Sequence, residues 1–338
     1  MIYLHIFRCI IFGSILLASK TVFFSDVEES KLGSNLSSNV KRGAQVVPRI
    51  VGGTEAEDSR YPYQAIIGDL RLIRSKWTCS GSLIAPDVIL TAAHCVKSIP
   101  KMGAQLGRED LGDAKETLSR KTKEKRVRKI RKHPRYDEGL IENDVALLFF
   151  RSSFRGYDPV LLNTNNAVPS SGQNLTVAGW GATKIGGELN DKKLEAAVTV
   201  DEECGADLNI TSDTFCATSS ESGPCTGDSG GPIISKGTSS TTDVVLGVVS
   251  HGIGCKKNSN ELYPGIYARV ADPDISSWIR EEVCKRSRRP PGSFDCVQVA
   301  EDEECIDKRQ RSCARRANAR TCKKRLMQRR CCMSCKKF

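Results

Sequence analysis

The chain offers little on which a membrane, metal or nucleic-acid function would rest. The N-terminal apolar run CIIFGSILLA (Cys9 to Ala18) is too short to cross a bilayer comfortably, which takes about twenty residues. His5 and Arg8 precede it and small and polar residues follow, so residues 1–20 read as a secretory signal peptide rather than an anchor, and the product is expected outside the cell. No cysteine lies between Thr21 and Arg49. No C-x2-C pairs stand at zinc-finger spacing, and no metal or cofactor is expected. The basic stretches carry no interleaved aromatics, which disfavours nucleic acid as a partner.

Cysteine, by contrast, is abundant. The 338 residues hold 15 cysteines. Removal of the signal peptide takes Cys9 with it and leaves an even number, as a disulfide framework in an oxidising compartment requires. Charge is unevenly spread. The formal net charge is +11, and from Lys285 onward there are 17 Lys/Arg against 6 Asp/Glu, so the remaining body balances. The chain is a near-neutral body with a basic tail.

Residues 21–49 are polar, rich in Ser, Asn and charge, and carry an Asn-X-Ser sequon at Asn35; they read as an unstructured pro-segment ending in VVPR. Short apolar runs of β type then follow one another: QAIIG, GSLIA, VILTAA, DVALLFF, LTVAGWG, DVVLGVVS and GIYARV. Turn residues separate them, which argues for an all-β sandwich or barrel. ADPDISSWIREEVC (Ala271 to Cys284) changes period. Asp274 is placed to cap a helix whose apolar face is Ile275, Trp278, Ile279 and Val283. Residues 285–294 read as a basic, proline-containing linker, and 295–338 as a cysteine-rich segment too poor in apolar residues to hold together without staples.

Three strings carry chemistry together. LTAAHC presents His94, NDVALL presents Asp144 and GDSGG presents Ser229. A serine hydroxyl is a weak nucleophile at neutral pH and needs a base within hydrogen-bond reach. Each string alone is weak evidence, but their joint occurrence in this order is not accidental.

With IVGG, CSGSLI, AGWG, CTGDSGGP, VVSHG and PGIY, these strings resemble the trypsin/chymotrypsin family of serine proteases over Ile50 to Cys284. The resemblance implies two packed six-stranded antiparallel β-barrels with a C-terminal helix, in a domain spanning residues 50–284. It implies that His94 is the general base, that Asp144 orients it, that Ser250 supports Asp144, and that Gly227 and Ser229 donate N–H groups to the oxyanion. It implies activation by cleavage after Arg49, the new ammonium of Ile50 pairing with Asp228. It also implies the disulfides Cys79–Cys95, Cys204–Cys216 and Cys225–Cys255; the positions of a further bridge are occupied by Leu175 and Ser235. Cys284 is expected to bond into the tail.

In that family the residue six before the nucleophile forms the base of the primary specificity pocket. Here it is Gly223, with Gly252 and Gly265 as wall positions, so the pocket is expected to be uncharged, wide and deep and to take large apolar or aromatic side chains. His251 stands where the family usually has Trp, and the loop from Cys255 to Gly265 is longer than usual. A pocket that does not favour Arg implies a separate trypsin-like activating protease for the Arg49 site.

The tail spacing C-x7-C-x8-C-x8-C-x3-C from Cys305 to Cys335 resembles the ShK-toxin-like domain, with Phe338 in place of its closing cysteine and Cys296 and Cys332 as extras. Counting Cys284, its eight cysteines allow too many connectivities to name one. The expected partners are a protein or peptide substrate, protease inhibitors, and an acidic surface, glycan or channel for the tail, on a monomer. A binding protein with the protease body as carrier is the competing reading; a non-catalytic adaptor is excluded by the intact triad. Asn174 and Asn209 begin Asn-X-Thr sequons. Lys115 to Arg135 holds eleven Lys/Arg against two acids and is expected on the surface of the body.

Overall fold

The structure is a computed structural model describing residues 53–70, 77–96, 102–117, 119–182, 188–201, 204, 210–219, 224–225, 227–252 and 264–296. The expected signal peptide and propeptide, and the tail beyond Cys296, lie outside these residues.

Among the described residues, fifteen strands and two α-helices make an all-β body. In chain order they are β1 (Thr54–Glu55), β2 (Gln64–Asp69), β3 (Trp77–Ala85), β4 (Val88–Thr91), β5 (Met102–Leu106), α1 (Ala114–Thr117), β6 (Lys123–Arg126), β7 (Lys129–Lys132), β8 (Ala146–Phe149), β9 (Leu161–Leu162), β10 (Asn174–Gly179), β11 (Leu194–Asp201), β12 (Thr214–Thr218), β13 (Pro232–Ser235), β14 (Val244–His251), β15 (Gly265–Arg269) and α2 (Pro273–Arg286). The apolar runs singled out from the sequence supply the buried strands, and every described strand pairing but one is antiparallel.

The C-terminal sheet closes on itself. Its order β11-β10-β13-β14-β15-β12 returns to β11 through the β11–β12 pairing, a six-stranded barrel with β1 and β9 attached outside the ring. Alternation drives the closure: along β11, Leu194, Ala196, Val198 and Val200 point inward while Ala197 and Thr199 stay outside. The N-terminal sheet, in the order β6-β5-β2-β3-β4-β8-β7, is curled. Its edges β6 and β7 are nearly one strand: between them Val127 N–H donates to Met102 at one edge and Arg128 N–H to Phe149 at the other. That bend brings the two edges together.

The two sheets meet along β3 and the segment around Ser229, where Ser80 N–H donates to the Ser229 carbonyl at 2.8 Å. A second tie is polar. Lys193 Nζ, at the start of β11, reaches Glu109 Oε2 at 2.8 Å and lies 4.8 Å over the Trp180 ring, with its charge almost fully buried.

The helix α2 buries Ile275, Trp278, Ile279 and Val283, the face read from the sequence, together with Cys284. Its cap is a correction. Asp272, not Asp274, accepts from the N–H groups of Asp274 and Ile275, because Pro273 occupies the first helical turn and the cap must precede it. Asp274 instead faces Arg135 and His133 of the N-terminal sheet. The helix runs through Lys285 and Arg286, residues whose charge suggested linker, and Ser287 and the Arg288 N–H then bind the buried carboxylate of Asp87. A disulfide joins Cys284 to Cys296.

Candidate active site

His94 and Asp144 stand just past β4 and just before β8, which are antiparallel neighbours. The pairing therefore delivers an imidazole and a carboxylate from positions fifty residues apart to one end of one sheet. His94 Nδ1 lies 2.7 Å from Asp144 Oδ2, and the His94 backbone N–H donates to Oδ1 at 2.9 Å. Asp144 is fully buried, whereas the His94 side chain stays about a third exposed. Burial alone would raise the Asp144 carboxyl, but hydrogen bonds from His94 and from the Ser250 hydroxyl at 2.5 Å overcome it and hold it below the usual range. An ionised carboxylate only accepts, so the His94 proton sits on Nδ1 and Nε2 keeps its lone pair.

The same reasoning fixes a second imidazole. The Ser250 proton is committed to Asp144, so His251 Nδ1, 3.1 Å from Ser250 Oγ, must be the donor of that contact. His251, Ser250, Asp144 and His94 thus form one hydrogen-bonded row. Burial lowers the affinity of His251 for a second proton, with Asp144 opposing and His94 reinforcing that effect.

Ser229 is half-buried on a loop of the C-terminal barrel, and the loop needs its glycines. Gly227 and Gly230 have φ of 103° and 80°, where a Cβ is strained. A Cβ at Gly227 would overlap Leu189, and one at Gly230 would overlap Thr91. The Ser229 carbonyl is tied to Ser80, next to Cys79, and Cys79 is disulfide-bonded to Cys95 beside His94. Nucleophile and imidazole are therefore anchored to adjacent residues of β3. Cys79, His94 and Cys95 bring their ligand atoms within 4.8 Å of one another, but both sulfurs are spent in the disulfide and no thiolate remains to bind a metal.

Asp228 is buried beside the nucleophile. Its oxygens accept from the N–H groups of Gly181 at 2.9 Å and Cys225 at 3.0 Å, and among the described residues no cation pairs with it. Burial raises its pKa to about 6, the two N–H donors opposing. A side chain at Gly179 or Gly181 would overlap this carboxylate, which accounts for both glycines of the AGWG string.

Residues 50–279 match the Trypsin family. Similar proteins include Trypsin beta of Drosophila erecta, 31% identical over 70% of this chain and 88% of that protein. Trypsin 5G1 of Aedes aegypti is 31% identical over 69% and 84%, and Putative trypsin-6 of Homo sapiens 30% identical over 71% and 91%. The chain belongs to the trypsin family of serine proteases. It is a serine endopeptidase, a hydrolase acting on protein substrates.

The protease's remaining site residues are placed as follows. Cys204 bonds Cys216, and Cys225 is disulfide-bonded to a residue outside the described set; Cys255, Gly223, Arg49, Ile50 and Asn209 also lie outside it. Asn174 is exposed at the start of β10. Gly252 is exposed and Gly265 buried. The space at Gly265 is not empty: a Cβ there would come within 2.8 Å of both Pro224 Cγ and the Tyr267 hydroxyl. Tyr267 stacks on Phe215, and its hydroxyl is buried with no hydrogen-bond partner among the described residues. Sequence reasoning passed over Tyr267. The available signal was its place two residues after Gly265 on one strand, hence on the same face.

Proposed function

We propose that this protease is a secreted zymogen, activated by cleavage after Arg49 and cutting after large apolar or aromatic residues. The observation that carries the catalytic part is the bond between His94 Nδ1 and a buried, ionised Asp144. That bond leaves Nε2, whose described contact is Cys95 Sγ at 3.6 Å, without a proton and so able to take that of Ser229 as its oxygen attacks the scissile carbonyl. The imidazolium so formed is stabilised by Asp144 and returns its proton to the leaving amine. Gly227 and Ser229 then aim their N–H groups at the oxyanion, one such donor being worth about 3 kcal/mol. Water repeats the sequence on the acyl-enzyme.

Activation is supported by Asp228, which pairs with no cation among the described residues. A buried carboxylate that accepts from two N–H groups is a ready partner for an ammonium, and cleavage after Arg49 creates one at Ile50. A pocket that disfavours Arg leaves that cut to another, trypsin-like protease. The test is labelling with a fluorophosphonate. The chain cleaved after Arg49 should react and its Ser229→Ala form should not, while the uncleaved chain reacts little. Equal labelling before and after the cut would remove the activation step, and purified precursor that matures unaided, with the Ser229→Ala form inert, would remove the need for an activator.

The specificity reading is supported by Gly223, Gly252 and Gly265, and by Pro224 and Tyr267, the described neighbours of Gly265, none of which carries a charge. Burying a large apolar side chain there gains roughly 2 kcal/mol over leaving it exposed. Gly265→Ala must displace Pro224 or Tyr267, each 2.8 Å from the added Cβ. It should lower kcat/KM on aromatic substrates at least about tenfold while sparing small apolar ones, the usual cost of one methylene-sized misfit. An unchanged peptide-library profile would show that Gly265 is not part of the pocket wall. The basic tail is proposed to dock the protease on an acidic surface.

A further inference from the structure

The segment Lys115 to Arg135 concentrates positive charge in sequence, and the fold concentrates it further. Lys123 to Lys132 runs as one bent strand through β6 and β7, roughly 30 Å at the usual rise per residue. Two cations from elsewhere join it. Arg155, from the segment after β8, acts on Lys125 along with Lys123, and Arg286, at the end of α2, acts on Lys129 along with Arg128 and Arg131. The two groups share one end of the sheet. The Asp87 carbonyl holds Phe150 N–H, at the start of the segment bearing Arg155, and the Asp87 carboxylate holds Ser287 and Arg288, just past Arg286.

The nearby acids are already committed. Glu124 accepts from Gln105, and Glu282 is shared between Arg131 and Arg286. Desolvation and neighbouring cations hold both Lys125 and Lys129 below the ordinary lysine range, with Glu282 opposing at Lys129, so cations outnumber acids here.

We propose that this strand, with Arg155 and Arg286, is a binding surface for a linear sulfated polysaccharide, made of residues other than the catalytic triad and the cysteine-rich segment 295–338. Shape and lining select this partner. An extended row of cations tracks a linear polyanion, and counterion release supplies the affinity. The only large hydrophobic side chains exposed among the described residues are Leu140 and Leu161, neither on the strand, so it presents no ring on which bases would stack and no wedge for a membrane.

The test uses the full chain on immobilised heparin, with dissociation constants measured at several salt concentrations. The variant Lys125→Gln/Lys129→Gln/Arg155→Gln keeps the side-chain stems and should bind at least about tenfold more weakly, with the slope of log K against log salt reduced by about three. A tail variant, Lys323→Gln/Lys324→Gln/Arg325→Gln, should lose less. Peptide hydrolysis by the activated triple variant should match that of the unchanged chain, which shows that it is folded. Failure of the unchanged chain to bind heparin at physiological salt would overturn the proposal. So would wild-type binding by the triple variant, equal binding to desulfated heparin, or stronger binding to single-stranded RNA of equal charge. None of these outcomes bears on the proteolytic reading.

Discussion

Replacing Asp144 by Asn should lower kcat about ten-thousand-fold with little change in KM. The reason lies in hydrogen-bond chemistry rather than in lost charge alone. Asp144 accepts three donors: the His94 backbone N–H, His94 Nδ1 and the Ser250 hydroxyl. An amide in its place brings an NH2 that must face either the backbone N–H at Oδ1 or the two groups at Oδ2, His94 Nδ1 and the Ser250 hydroxyl. If it faces His94, the ring accepts at Nδ1 and carries its proton on Nε2, the atom that has to receive the Ser229 proton. The variant should stay folded, since the carboxamide is nearly isosteric, the His94 backbone N–H keeps its acceptor at Oδ1, and the Ser250 hydroxyl, which shares Oδ2 with the ring, can turn to accept from the NH2. The measurement is steady-state hydrolysis by the activated variant, with thermal unfolding as the control. A loss smaller than about tenfold in a folded protein would mean that Asp144 does not set the His94 tautomer.

The second large effect concerns Asp228 and has a sign that reverses on activation. In the uncleaved chain its pKa is about 6, above the ordinary carboxylate value, so the folded state binds this proton more tightly than the unfolded chain does. Its ionisation therefore costs stability, on the order of 3 kcal/mol, as pH rises from about 4 to about 6, and nothing further above that. Once an ammonium pairs with it, the carboxyl falls below its unfolded value. Stability is then present above about pH 4 and lost as pH drops through the depressed value. The unfolding temperature should fall as pH rises from 4 to 6 before the cut after Arg49; after the cut this contribution should be flat from pH 4 to pH 7 and be lost only below about pH 4. Asp228→Asn should remove this contribution from both forms and leave the cleaved enzyme with about a hundredth of its activity or less, the scale of a broken buried pair. Parallel pH profiles before and after cleavage would end the ion-pair account.

The parts of this molecule readable from sequence are those where chemistry or geometry tolerates few residue types. The strings around His94, Asp144 and Ser229 are of this kind. So is AGWG, where Gly179 and Gly181 leave room for the Asp228 oxygens. The strands were legible because inward positions alternate, as along β11. What escaped was set by contacts distant in sequence. Lys193 looks like any charged residue in DKK, yet folding covers it with Trp180 and neutralises it with Glu109. Arg108 likewise is buried, its guanidinium donating to the carbonyls of Asp110 and Leu111. Asp274 is not the cap, because Pro273, with no N–H to give, takes the first helical position and places the cap two residues before Asp274, at Asp272. Tyr267 and the row from His251 to Asp144 required side-chain directions that no one-dimensional pattern carries.

The bond between Cys284 and Cys296 has a consequence for how the tail parts from the enzyme. It leaves Cys305, Cys313, Cys322, Cys331, Cys332 and Cys335 as an even set that can close within the tail itself. It also encloses the Arg288–Arg289 pair in a small covalent ring. A proteinase that nicks the chain after either arginine opens the ring without freeing what lies beyond it, so shedding requires a reductant as well as a cut, or a cut past Cys296.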